Sequence, residues 1–224
     1  SSAGLIQDSN GVLWGTTTGG GDYTNGSIFK ITTNGTFTTV YSFQGGIGGS
    51  GPNSPLCLGT NGNFYGTTRS GGLNGLGTTF EITPGGIFVQ LYSFPGGLDG
   101  QGSYSGLILA RDGYFYGTTT TGGTFGLGTV FRMTSNGFVS TLYSFQGPPN
   151  GYVPLAPLVQ ASDGTFYGTT YLGGTSGLGT IFQFNPNSGG MNFLYNFVGI
   201  SNYGFTDGGN PRFSLVQGNG ILFG

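Results

Sequence analysis

The segment Phe115-Tyr116-Gly117-Thr118-Thr119 decides the fold, because its aromatic-Gly-Thr-Thr pattern recurs along the chain at a constant interval of 51 residues. The other copies are Trp14-Gly15-Thr16-Thr17, Tyr65-Gly66-Thr67-Thr68 and Tyr167-Gly168-Thr169-Thr170, and a partial copy ends the sequence at Phe223-Gly224. The same interval separates Phe29, Phe80, Phe131 and Phe182. A repeat of this length indicates a protein built from copies of one structural unit.

Each repeat contains four short runs of apolar residues separated by turn residues. In the third repeat the turns are Asp112-Gly113 and Asn136-Gly137, which tolerate the positive φ angles of tight antiparallel hairpins. A unit of about 50 residues with four antiparallel strands is the blade of a β-propeller. We therefore expect an all-β propeller. A β-solenoid is the alternative, although its coils are usually shorter, about 20 to 30 residues.

The repeat predicts one domain divided into four complete blades and part of a fifth. The predicted blades span residues 4–54, 55–105, 106–156 and 157–211, and residues 212–224 supply two further strands. No third or fourth strand precedes the first blade to complete the fifth. Because open strand edges promote aggregation, we expect this sequence to be a segment of a longer repeat protein.

Composition limits the partners. Charged residues make up 5% of the chain, against about 25% in an average soluble domain. The five basic residues are scattered in sequence, so a phosphate-binding patch and nucleic-acid binding are not expected. No apolar run is long enough to cross a membrane as a helix. Cys57 occupies a repeat position that is elsewhere Ile or Val, which indicates a small buried apolar side chain.

The residue types argue against catalysis and against a cofactor. The chain has no His, which excludes a Ser-His or Cys-His nucleophile and removes the commonest transition-metal ligand. Asp112 and Asp163 occupy turn positions that are Asn in other repeats, so we expect them to stabilise turns. Asp99 and Asp207 lie in Gly-rich links, where we expect too few oxygen ligands for a Ca²⁺ site.

The aromatic residues fall into two groups. Those that recur with the repeat, such as Tyr41 and Phe43, are expected to pack between blades. Others lie in links and do not recur, and we expect them to be exposed. Exposed aromatic rings beside Asn and Asp can stack on sugar faces, so these residues are the candidate glycan-binding site: Tyr23, Tyr104, Phe125, Tyr152, Tyr171 and Tyr203.

The repeat resembles a known bacterial family, the Gloeobacter–Verrucomicrobia tandem repeat. The third copy carries the resemblance best, with Asp112-Gly113, Tyr116-Gly117-Thr118-Thr119, Gly122-Gly123, Gly126-Leu127-Gly128-Thr129-Val130-Phe131 and Leu142-Tyr143-Ser144-Phe145. The resemblance implies a secreted or surface-attached bacterial protein with no known reaction.

Composition and resemblance together predict a non-catalytic protein of the bacterial exterior or outer cell surface. We expect a structural or interaction role, with self-association or binding to other surface proteins and the formation of larger extracellular assemblies. The alternative function is that of a lectin-like, carbohydrate-binding propeller, with glycans as partners.

Overall fold

The computed structural model describes residues 4–199, 207–218 and 221–224. Each repeat forms one antiparallel sheet of four strands that follow one another in chain order. The first sheet contains β1 (Ile6–Gln7), β2 (Leu13–Thr17), β3 (Ser27–Ile31) and β4 (Phe37–Ser42). The second contains β5 (Cys57–Leu58), β6 (Phe64–Thr68), β7 (Thr78–Ile82) and β8 (Phe88–Ser93).

The later repeats have the same architecture. The third sheet contains β9 (Ile108–Leu109), β10 (Phe115–Thr119), β11 (Thr129–Met133) and β12 (Val139–Ser144). The fourth contains β14 (Val159–Gln160), β15 (Phe166–Thr170), β17 (Thr180–Asn185) and β18 (Gly190–Asn196), and a small pair is formed by β13 (Gly151–Tyr152) and β16 (Leu172–Gly173). The last hairpin joins β19 (Val216–Gly218) to β20 (Ile221–Phe223).

Strand order supports the propeller prediction. In every four-stranded sheet, neighbours in the sheet are neighbours within the repeat, joined by hairpins or short links. A solenoid would instead send successive strands of a repeat to different sheets. The expected all-β architecture of four-stranded antiparallel sheets is therefore confirmed.

The predicted hairpin turns are confirmed where they lie within the described residues. Gly113 has a φ of +83°, and the Asp112 carboxylate accepts a hydrogen bond from the Tyr114 backbone N–H at 3.1 Å. Asp163 accepts the equivalent bond from the Thr165 N–H at 3.0 Å. These carboxylates thus stabilise turns, as expected. The pair Asn219-Gly220, which the repeat predicts to be the equivalent turn of the last copy, lies outside the described residues.

Each sheet is organised around a Phe ring that covers a glycine of the adjacent strand. Gly117 of β10 pairs with Phe131 of β11, and a Cβ at Gly117 would come within 2.7 Å of the Phe131 ring. Gly15 lies under Phe29 in the same way. Phe131 is fully buried. The glycine of the repeat is therefore required by the ring packed on it, and not by its backbone angles.

The second threonine of the motif is hydrogen-bonded to the neighbouring strand, and it thereby joins the second and third strands of each sheet. The Thr119 and Thr129 hydroxyl oxygens lie 2.8 Å apart, and the Thr129 N–H also donates to the Thr119 hydroxyl at 3.1 Å. The Thr119 hydroxyl donates onward to the Thr121 carbonyl at 3.0 Å. Gly100, with a φ of +83°, packs so closely that a Cβ there would lie 2.8 Å from the Thr119 Cβ.

Aromatic rings join neighbouring sheets. The rings of Tyr65 and Phe115 lie 4.2 Å apart between the second and third sheets, and Phe94 meets Phe131 edge-on at 5.5 Å. Equivalent contacts join the first sheet to the second, with Trp14 on Phe64 at 4.3 Å and Phe43 edge-on to Phe80 at 5.4 Å. Tyr41 also stacks on Phe88 there, at 4.1 Å. Packing of the recurring aromatic residues between sheets is therefore confirmed.

We predict that Gly117→Ala destabilises the protein by about 1–3 kcal/mol, since a methyl group must displace a fully buried ring. The matched control is Gly85→Ala, because Gly85 also lacks a positive φ and its Cβ would meet nothing closer than the Thr83 hydroxyl at 3.8 Å. Urea denaturation of both variants provides the measurement. Equal midpoints for the two variants would show that the Phe131 contact does not constrain this position.

Candidate functional site

The two ends of the sheets differ in the loops that they carry. Thr68 at the end of β6 pairs with Thr78 at the start of β7, and Thr78 pairs with Ser93 at the end of β8. The Gly-rich links between these strands and the links between sheets therefore emerge at one end, which we call the loop face. The tight Asn-Gly and Asp-Gly hairpins lie at the other end, the turn face.

An open cavity of about 480 Å³ lies on the loop face where the links enter the first strand of each sheet. Its lining includes one repeat position in four copies, Asn53, Tyr104, Leu155 and Arg212, and it includes Gly4 of the first repeat, whose equivalents Pro55 and Pro157 also line it. A cavity that all the sheets share lies on the line where their first strands converge. We call it the axial cavity.

A second cavity of about 560 Å³ continues along the first strands and has mostly apolar walls, which include Ile6, Cys57 and Ile108. Cys57 is buried, as its aliphatic repeat position predicted, and burial raises the pKa of its thiol to about 11. Among the described residues that line this cavity, none carries a carboxylate or a basic group.

Two polar pockets adjoin the axial cavity on the loop face. One, of about 280 Å³, lies between the links of the first and second sheets, and it shares Asn53 with the axial cavity. The other, of about 290 Å³, lies one repeat further on and shares Tyr104 with it. Arg69 lines both pockets. The three cavities therefore adjoin one another through shared lining residues, and we call them together the loop-face groove.

Two Arg–Tyr pairs lie at this groove. The Arg69 guanidinium carbon lies 5.5 Å from the centre of the Tyr104 ring, and that of Arg212 lies 4.6 Å from the centre of the Tyr171 ring. The Tyr171 hydroxyl also accepts a hydrogen bond from Arg212 Nη2 at 3.0 Å. Both arginines are exposed, while both tyrosines are half-buried.

The structure separates the six aromatic candidates. Tyr23 and Phe125 are exposed, but they lie at equivalent positions two repeats apart, so they do not form one site. Tyr152 corrects the expectation of exposure, because it is in β13 and packs against the core. Tyr104 and Tyr171 are likewise half-buried beside arginines. Tyr203 lies outside the described residues.

The link carboxylates are held by neighbouring groups. Tyr92 donates a hydrogen bond to Asp99 at 2.8 Å, and Tyr195 donates to Asp207 at 2.6 Å. The Tyr195 bond and backbone N–H donors lower the pKa of Asp207. Within the described ranges, no three His, Cys, Asp or Glu side chains lie close enough together to hold a metal. No helix there has the length and apolar character of a membrane span.

Fold and site define a propeller-like repeat protein with an open groove on one face. The chain belongs to the Gloeobacter/Verrucomicrobia repeat family, whose model matches residues 1–224. No curated protein sequence shows significant similarity to it.

Solved structures show the fold alone. A catalytically inactive virginiamycin B lyase from Staphylococcus aureus, solved with quinupristin, is 18% identical with a TM-score of 0.63, and the match covers 86% of this chain and 54% of that chain. A putative gluconolactonase is 12% identical with a TM-score of 0.57, covering 96% of this chain and 66% of that one. A putative TolB from Agrobacterium tumefaciens is 11% identical, with a TM-score of 0.55, and covers 85% and 64%. The chain thus spans about half the length of the lyase.

Sequence reasoning missed Arg69 and Arg212 as site residues, because the basic residues are scattered along the chain. Their repeat positions hold the signal. Arg69 directly follows the second threonine of the motif, as Tyr171 does. Arg212 lies three residues before Leu215, as Tyr104 lies three residues before Leu107. The two pairs therefore occupy the same two repeat positions with arginine and tyrosine exchanged.

We predict that the Cys57 thiol of the folded protein is unreactive toward a thiol-exchange reagent at pH 8. With its pKa raised to about 11, only about one thiol in a thousand is ionised there, and the side chain is buried. Unfolding in guanidinium should expose it and restore rapid, stoichiometric reaction. Equal rates in folded and unfolded protein would contradict the burial of Cys57 in the wall of the second cavity.

Proposed function

We propose that this protein is a non-catalytic interaction protein of the bacterial exterior, which binds its partner in the loop-face groove. The observation that supports this most is the composition of the groove. Its three cavities are lined by Asn, Gln, Ser, Thr, Tyr, Arg and apolar side chains, and no described residue that lines them carries a carboxylate. Such a surface offers hydrogen bonds and apolar contact, but no general acid–base pair.

The absence of His from the sequence supports the same proposal. A propeller enzyme would need nucleophiles or proton donors at the convergence of its blades, where the second cavity instead presents Ile6, Cys57 and Ile108. The raised pKa of Cys57 keeps its thiol protonated, so it is a poor nucleophile.

Location outside the cell is supported by composition and family. The family implies secreted or surface-attached proteins, and the surface relies on neutral polar residues, with only 5% charged residues in the chain.

Assembly into larger structures is supported by the last hairpin. Val216, Ile221 and Phe223 expose apolar side chains on a sheet of only two strands. A two-stranded sheet is marginal by itself, and exposed apolar patches commonly mark interaction surfaces. A second copy of this chain or another surface protein would pack on these exposed side chains.

Carbohydrate binding is the second candidate function, and the neutral hydrogen-bonding groups in the groove favour it. Thr18, Asn25, Ser50 and Asn53 line one pocket, and Gln101 and Thr120 line the next. Side-chain amides and hydroxyls match sugar hydroxyl groups, and the Tyr104 ring supplies the apolar surface that a sugar face can cover. This combination fits a glycan better than an apolar small molecule.

We predict that the protein binds at least one class of glycan on a bacterial and plant glycan array, and that Tyr104→Ala abolishes this binding. Phe138→Ala is the matched control, since it also removes an exposed ring but lies at the turn face, away from the groove lining. Bound glycans recovered after incubation should have unchanged masses. A silent array would remove the carbohydrate candidate, and cleaved or eliminated products would contradict a non-catalytic role.

A further inference from the structure

We propose that the loop-face groove recognises acidic glycans, with the Arg69 and Arg212 guanidinium groups binding the carboxylates of uronic-acid residues. This inference rests on the proposed carbohydrate-binding function and names its ligand class. The protein has a net charge of −2, yet two of its five basic side chains lie at one groove. Their placement produces a local positive potential on a molecule that is acidic as a whole.

Both guanidinium groups are available for a ligand. The described residues that line the groove include no Asp or Glu, so no carboxylate there competes for Arg69 or Arg212. The contacts that the two arginines make are with tyrosine rings and one phenol oxygen. Contact with a ring face leaves the N–H groups at the guanidinium edge free to donate to an anion.

The remaining basic residues are engaged elsewhere. Arg111 donates to the Ala161 and Ser162 carbonyls of a turn-face hairpin at 3.1 and 2.7 Å. Arg132 lies over the Tyr114 ring and Lys30 over the Trp14 ring. These partners belong to the turn face and its neighbouring strands. The two loop-face arginines are therefore a distinct pair.

The tyrosines orient the arginines. Tyr171 is fixed by the Asn210 side chain, which donates to the Tyr171 carbonyl at 2.8 Å, and its hydroxyl holds Arg212. Tyr104 is half-buried and lines both the axial cavity and the adjoining polar pocket of about 290 Å³. A guanidinium held flat against a ring presents a planar fork, which matches a planar carboxylate in two parallel hydrogen bonds.

The groove is suited to a chain of sugars and not to a single small acid. It runs from the axial cavity, where Arg212 and Tyr104 lie, into the pockets on either side of Arg69. Neutral amides and hydroxyls line the path between the two positive charges. A uronic-acid oligosaccharide places carboxylates at intervals among hydroxyl groups, and it therefore matches both features.

The test compares ligands that differ only in charge. Isothermal titration calorimetry in about 0.15 M salt would use a hexamer of galacturonic acid and the same hexamer as its methyl ester. The acid is expected to bind at least about tenfold more tightly, since the ester has no negative charge and cannot pair with a guanidinium through two equivalent oxygens. Monomeric galacturonate should bind far more weakly than the hexamer. Equal binding of acid and ester would overturn the proposal.

Matched variants separate the site from overall charge. Arg69→Gln/Arg212→Gln and Arg111→Gln/Arg132→Gln have identical net charge, so nonspecific attraction weakens equally in both. The first is expected to lose about tenfold or more in affinity per guanidinium, and the second to bind like wild type. Thermal melts confirm that each variant is folded. If both variants lose affinity equally, the proposed carboxylate site is wrong.

Two further experiments test whether the planar guanidinium is required and which anion the groove recognises. Arg69→Lys/Arg212→Lys keeps the charge but removes the planar fork, and it should bind more weakly than wild type; full affinity would contradict recognition by the fork. A hexamer of a neutral sugar that carries sulfate groups should bind less tightly than the uronic-acid hexamer. Tighter binding of the sulfated hexamer would show that the groove recognises sulfate and would overturn the carboxylate proposal. If the hexamers fail to bind while neutral array glycans bind through Tyr104, this inference fails and the proposed function stands. If no glycan binds at all, both fail.

Discussion

The close contact between a Phe ring and a glycine on the next strand is the constraint on which the rest of the structure depends. In the third sheet, Phe131 occupies the space that a side chain at position 117 would need. The ring is thereby drawn into the sheet surface, where Phe94 of the preceding sheet reaches it edge-on at 5.5 Å. A bulkier residue at the glycine would lift the ring and separate neighbouring sheets. One small residue per repeat therefore sets the distance between sheets.

The hydroxyl contacts show how the second threonine of each motif is satisfied inside so uncharged a chain. Thr119 and Thr129 are fully buried, and the Thr119 hydroxyl bonds to the Thr129 hydroxyl, accepts from the Thr129 N–H and donates to the Thr121 carbonyl. The same arrangement recurs at Thr68 and Thr78. Because threonine combines strand propensity with one donor and two acceptors, it can replace ion pairs as the polar element of a sheet interior. Most charged residues then lie in loops, and Lys30, Glu81 and Arg132 are the ones in strands.

The architecture could be predicted from the sequence because local and long-range signals agree. The interval between aromatic-Gly-Thr-Thr motifs gave the unit, and turns such as Asp112-Gly113 gave the hairpins within it. Cys57 was correctly placed in the interior, since its repeat position is otherwise aliphatic. The blade limits and the glycan role of the loop aromatics remain predictions. A repeat fold can be predicted from its sequence when, as here, the local turn residues and the repeat interval indicate the same structure.

The groove was much less predictable, since its distinctive residues are those that break the repeat. Arg69 and Tyr104 occupy two positions, and Tyr171 and Arg212 occupy the same two positions in the opposite order. When each repeat position is compared by itself, these four residues look like unrelated substitutions. The contact between the two positions in the folded protein shows that each arginine is paired with a tyrosine. The exchange preserves a guanidinium beside a phenol ring and alters which sheet supplies the charge. As a result, Arg212 lines the axial cavity, while Arg69 lines the two polar pockets beside it. Two copies of one contact thus place positive charge at two depths of one groove, which a strictly repeated sequence could not do.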